Sequence, residues 1–142
     1  MTGAAIPAQL REFVRQRAGY RCEYCRSSEW LTSQRCHIDH IVPEAKGGEP
    51  TADNLCLACA TCNGSKLDRT KAVDPLRGKT EYLFNPRQQN WQDHFSWNED
   101  ATQIIGITPS GRATVEALRL NRPLAVSARA MWVSVNRHPP KE

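Results

Sequence analysis

The sequence predicts an α+β fold, with a small β-β-α unit in its first half and a helix-containing lobe in its second. Three observations predict it. All six cysteines lie in the first half, and four of them form two C-x-x-C pairs, Cys22/Cys25 and Cys59/Cys62. Between the pairs, two short runs of strand formers flank a loop rich in Pro and Gly. Near both ends of the chain, apolar side chains recur at helical spacing.

Residues 7–18 read as a helix, with Pro7 in its first turn, Leu10, Phe13 and Val14 as an apolar stripe, and Gly19 available to end it. Residues 20–26 hold the first cysteine pair. Residues 35–42 (RCHIDHIV) predict a strand that stops before Pro43. Residues 43–53 are a loop, 54–58 a second strand, and 61–70 a helix starting at Thr61. Residues 71–93 look polar and irregular. Residues 94–97 and 103–108 read as two strands around Asn98-Glu99-Asp100. Thr108-Pro109 matches an N-cap followed by proline, opening a helix to about Leu120. A last helix opens at Pro123, with Leu124, Ala128, Met131, Trp132 and Val135 on one face. The expected organisation is a helix in 1–19, a cysteine-bearing unit in 20–72, and an extension in 73–142 made of a hairpin plus two helices.

The 142 residues are 39% hydrophobic and 24% charged, which excludes a disordered chain. No stretch approaches the roughly 20 apolar residues of a membrane helix. The opening MTGAAIPAQLREF has too short an apolar run for a secretory signal, so a cytoplasmic protein is expected. The net charge of +4 permits a polyanionic partner without demanding one.

In a reducing compartment, paired C-x-x-C spacing reads as metal binding before disulfides. Zn²⁺ takes four soft ligands in a tetrahedron, and two close pairs from distant segments supply them. A β-β-α unit this small buries too little apolar area to be secure alone, and a structural zinc on Cys22, Cys25, Cys59 and Cys62 removes that difficulty. Cys36 and Cys56 fit neither pair and read as small buried thiols.

Beside the pairs sit Asp39, His40, Asn54 and Asn63. Cleaving a phosphodiester requires an activated water and a way to neutralise charge. Asp39 and Asn63 offer hard oxygen ligands suited to Mg²⁺ or Mn²⁺. His40 can act as general base near neutral pH. The amide of Asn54 can bond backbone across the loop and hold His40. Asn63 directly follows Cys62, so zinc fixes its backbone. Neighbouring strand residues face opposite ways, so the strand must bend or end at Asp39-His40. His37, Lys46, Lys66 and Arg69 are candidates for contacts with substrate phosphates, with Lys71, Arg35 and Arg26 as weaker ones. Asp93-His94 repeats the dipeptide without its partners and reads as structural. Tyr82, Phe84, Trp91, Phe95 and Trp97 read as packing residues.

C-E-Y-C, H-I-D-H-I-V-P, K-G-G, D-N-L and C-A-T-C-N-G-S-K, running from Cys22 to about Thr70, together resemble the HNH endonuclease family, the ββα-metal or treble-clef nucleases. The resemblance implies His40 as general base, Asn54 as the residue that fixes the loop, and Asp39 with Asn63 on the metal. It also implies 5′-phosphate and 3′-hydroxyl products. The departure is Asn63, where the family name expects His, although Asn also occurs there in the family. The second half resembles an extension found in one bacterial group of these proteins.

The expected activity is therefore hydrolysis of DNA, most simply double-stranded, by a chain that cuts alone or as an oligomer. The main alternative is a non-catalytic zinc-bound nucleic-acid-binding module, which has no use for Asp39, His40 and Asn63 together. A protein-interaction zinc domain is the other, and it requires an exposed apolar face on residues 124–135.

Overall fold

The structure is a computed structural model describing residues 5–141, a mixture of helices and strands that divides into two units. One unit runs to Thr70 and also takes in Asn85–Gln88, while the other holds Lys71–Phe84 and the chain from Gln89 onward.

In the first unit, α1 spans Ala8–Arg17 and begins behind Pro7, whose φ of −59° is already helical. Gly19 follows it with a left-handed φ of 64°. Of the expected stripe only Val14 is buried, and Phe13 is 50% exposed. A short helix that the sequence did not announce, α2 (Glu29–Thr32), is capped by Ser28, whose Oγ accepts from Trp30 N–H at 3.1 Å. Four residues are too few to show a period. Strand β1 (His37–His40) pairs antiparallel with β2 (Leu55–Ala58), in a register that sets Asp39 opposite Cys56 and His40 opposite Leu55. All four residues of β2 are buried. One reason is that α1 packs on β2. Another is that Glu23 bonds it twice, N–H to Leu57 O and Oε2 to Leu57 N–H, each at 2.8 Å. Helix α3 (Ala60–Lys66) packs on β1. It starts one residue before Thr61 because Cys59 is its N-cap, and it stops before residue 70 because Leu67 takes a φ of 56°.

In the second unit, the stretch expected to be irregular holds a hairpin, β3 (Lys71–Val73) with β4 (Thr80–Tyr82). A further short helix, α4 (Trp91–His94), leads into β5 (Phe95–Trp97), which pairs with β6 (Ile104–Gly106). Helix α5 (Pro109–Ala117) is capped by Thr108 and packs on β3, β4 and β6. The core is aromatic: Trp91 lies 5.1 Å from Phe95 and 5.5 Å from Trp97, and Phe84 lies 5.2 Å from Phe95, ring to ring. His94 has the structural place expected of it, with Nδ1 2.7 Å from Thr108 Oγ1.

In the last helix, α6 (Pro123–Ser134), most of the apolar face read from the sequence points outward. Leu124, Met131 and Val135 of that face are 85%, 71% and 61% exposed, while Ala125 and Arg129 face inward. The reason is polar: Arg129 donates to Thr102 O at 3.0 Å and Leu120 O at 2.6 Å, and its guanidinium lies 5.4 Å from the Trp97 ring. Satisfying these carbonyls outweighs burying one more apolar stripe. The outward stripe is the kind of face that the interaction-domain alternative requires. Among the described residues, no helix is long and apolar enough to cross a membrane.

Candidate functional site

The first unit brings the four paired cysteines together. The Sγ atoms of Cys22, Cys25, Cys59 and Cys62 all lie within 4.8 Å of one another, and Cys25 and Cys59 are 3.7 Å apart. Zn–S bonds of about 2.3 Å in a tetrahedron place sulfurs about 3.8 Å apart, so the quartet has the dimensions of a zinc site. Each pair turns the same way, with Cys25 N–H donating to Cys22 Sγ and Cys62 N–H to Cys59 Sγ, both at 3.4 Å. Hydrogen bonds from Cys22, Cys59 and Cys62 hold the Cys25 thiol well below its usual range, whereas burial pushes Cys22 up. Cys59 is lowered as well and Cys62 raised, so within the quartet Cys25 and Cys59 are the readier to become thiolates, the form that binds metal. None of the six cysteines is in a disulfide. Cys36 and Cys56 are buried as expected, and burial pushes Cys36 up to about 12 and Cys56 higher still.

Asp39 and His40 end β1. Asp39 is 7% exposed and the His40 side chain 17%. Burial raises the Asp39 carboxyl, and Lys66 opposes that rise. Lys66, expected to be available to phosphate, is instead buried. Its Nζ lies 3.2 Å from Asp39 Oδ2 and donates to His40 O at 3.1 Å. A lysine on a short polar helix carries no sequence mark of burial, but an unpaired buried carboxylate is costly and draws the ammonium inward. Cys56 Sγ is 3.8 Å from the same carboxylate oxygen.

His40 Nε2 is buried and has no hydrogen-bond partner among the described residues. Glu44 Oε1 is the nearby charge, 3.7 Å away. The sequence reading overlooked Glu44, and its place four residues after His40 in a short turn was the available signal. A buried nitrogen with nothing to bond is costly, so the site is suited to receiving a polar group.

Asn54 pins the loop between the strands. Its Oδ1 accepts from Val42 N–H at 2.9 Å, and its Nδ2 donates to Val42 O at 3.0 Å and Glu49 O at 2.9 Å. Gly48 sits against this clasp, where a Cβ would stand 1.6 Å from Val42 O. Asn63, half-buried, lies three residues before Lys66 and so shares the helix face that Lys66 turns toward β1. The donors at Asp39 and Asn63 are a carboxylate and an amide, a hard oxygen set that fits Mg²⁺ or Mn²⁺.

The other candidates are scattered. His37 and Lys46 are exposed, His37 at the start of β1 and Lys46 on the loop. Arg69 closes the end of α3, donating from Nη2 to Ser65 O at 2.6 Å.

Residues 22–69 match the family model described as HNH endonuclease. No curated protein and no solved structure matches the chain. The match spans both cysteine pairs and Asp39, His40, Asn54 and Asn63, and it points to a nuclease acting on nucleic acid.

Proposed function

We propose that this protein is a metal-dependent HNH endonuclease that hydrolyses DNA phosphodiester bonds. In this reading β1, β2 and α3 are a treble-clef-like ββα-metal core closed by zinc on the four paired cysteines. The observation that carries the reading is the buried, unpartnered Nε2 of His40 beside the Asp39 carboxylate, inside a four-sulfur frame. A divalent cation held by Asp39 and Asn63 would supply Lewis-acid stabilisation of charge on the phosphate and the leaving oxygen.

The remaining chemistry belongs to the chain. His40 Nε2 takes a proton from water as the water oxygen bonds phosphorus and the P–O3′ bond breaks; the departing O3′ takes a proton from solvent, giving a 5′-phosphate and a 3′-hydroxyl. Glu44 stabilises the imidazolium that results. Asn54 keeps the backbone just after His40 closed. Paired cysteines gathered as a metal quartet suit a reducing, cytoplasmic setting. Double-stranded DNA is the proposed substrate, and cutting both strands would call for two copies of the chain.

The test is plasmid cleavage with Mg²⁺ or Mn²⁺ in zinc-replete buffer, comparing wild type with His40→Ala. Zinc content and circular dichroism of both proteins establish that each is folded. Loss of a general base lowers the rate by about 10²–10⁴-fold. Folded protein that binds DNA but cuts it under no divalent metal would overturn the reading in favour of a non-catalytic zinc module.

A further inference from the structure

A hollow of about 420 Å³ in the first unit is lined by Phe13, Arg17, Ala52, Asp53, Pro86 and Arg87. All six residues belong to that unit, because Asn85–Gln88 is part of it. The Arg17 guanidinium lies 5.2 Å from the Phe13 ring centroid, which makes a cationic wall with an aromatic backing. Arg17 donates to Ala52 O at 2.8 Å and Leu55 O at 2.7 Å, so it grips the backbone on both sides of Asn54. These carbonyls orient the guanidinium without neutralising it. Arg87 pairs through Nη2 with Glu23, while its Nη1 is buried with no hydrogen-bond partner among the described residues. Burial lowers Arg17 and the positive charge of Arg87 lowers it further, against the opposing carboxylates of Glu23 and Asp53. Asp53 is exposed, with Oδ1 accepting from Thr51 Oγ1 at 2.7 Å.

Arg87 is charge-paired with Glu23, whereas Arg17 is bonded only to carbonyls, so the Arg17 charge and the remaining Arg87 donor are what the hollow offers an anion. The hollow falls in the size range of small-ligand sites, about 300–1,000 Å³, and has an aromatic and a proline in its lining. Both features suit one nucleotide of a chain better than a bare ion. We propose that this hollow binds a phosphate of a nucleic-acid strand away from the cleaved bond, with Arg17 and Arg87 on the phosphate and Phe13 against the adjoining sugar or base. The inference rests on the nuclease reading above and adds a second contact to it. None of the residues that carry it has a part in the chemistry.

The test measures DNA binding by fluorescence anisotropy across a salt series, using full-length zinc-loaded protein without added Mg²⁺ or Mn²⁺. The variants are Arg17→Gln/Arg87→Gln and Phe13→Glu. The second keeps the test valid if removing Arg87 from buried Glu23 unfolds the first, because Phe13 is half-exposed. Both are expected to weaken binding about tenfold. The double variant should also flatten the slope of log K against log salt by about 1, as loss of one phosphate contact requires. Asp53→Asn should strengthen binding. Inorganic phosphate, titrated while the arginine Nε–H resonances are followed by NMR, separates the sources.

Folded variants with wild-type affinity and slope overturn the proposal while leaving a nuclease that still cuts. Arginine shifts with phosphate but an unchanged DNA slope mean a free-anion site, which also overturns it. A wild type that binds no DNA overturns the nuclease reading and this one together.

Discussion

Replacing Asn54 by Ala removes the clasp that closes the loop after His40. Three hydrogen bonds go: Val42 N–H to Oδ1 at 2.9 Å, and Nδ2 to Val42 O and Glu49 O at 3.0 and 2.9 Å. A net hydrogen bond contributes about 1 kcal/mol, but these lie at the surface, where water replaces part of what is lost. The closed loop should therefore lose about 1–2 kcal/mol. If His40 acts only when the loop is closed, kcat/KM falls by about 5–30-fold. Asn54→Asp should do worse than Ala despite its matching shape, because it sets a carboxylate oxygen against two carbonyls where a donor stood. The assay is single-turnover plasmid nicking, with hydrogen exchange at Val42 N–H reporting the loop. Zinc-loaded Asn54→Ala that cuts within twofold of wild type, with Val42 still protected, would refute the reasoning. So would an Asp variant more active than the Ala variant.

Gly48→Ala should reproduce the Asn54→Ala defect without touching any polar group, since its Cβ would meet Val42 O at 1.6 Å and Asn54 Nδ2 at 2.8 Å; normal exchange at Val42 would count against this. Chelating the zinc should unfold the first unit, seen as loss of nicking and of protection in β1 and β2, and readdition should restore both. Zinc binding should also weaken on acidification. Zinc binds thiolates and protons compete for them, so binding is lost as pH falls; the raised Cys22 and Cys62 give way first, and Cys25 and Cys59, lowered by hydrogen bonding led by Cys22, last. A zinc indicator should therefore report release toward acid pH, and retention unchanged from pH 7.5 to 4 would contradict the sign. Because burial raises Cys36 to about 12 and Cys56 higher still, both should resist a thiol reagent at pH 8 in the folded, zinc-loaded protein, and all six thiols should react once chelation unfolds the unit.

The parts of the site that follow from local chemistry were legible. Cysteine spacing located the metal quartet, because two intervening residues let both cysteines of a tight turn reach one ion. The strand pair and the helix that carries Cys62 were visible to within four residues at their ends. What long-range contacts decide was not legible. Lys66 looks like surface lysine until the buried carboxylate of Asp39 is placed beside it. The stripe on α6 is apolar, yet Arg129 takes the inner side because Thr102 and Leu120 leave carbonyls there. β3 and β4 lack an apolar alternation and pair through backbone. Arg87 joins the first unit only because the chain returns to it for four residues, Asn85–Gln88.

The register of β1 against β2 has a consequence for folding. Asp39 stands opposite Cys56 and His40 opposite Leu55. A slip of one position would exchange the two directions, taking Asp39 away from Lys66 and His40 away from Glu44. Every residue would still be present, the zinc could still be held, and on the proposed mechanism the enzyme would be dead. Specific activity, normalised to bound zinc, thus becomes a gauge of pairing fidelity: it reports the fraction of chains whose hairpin closed in step.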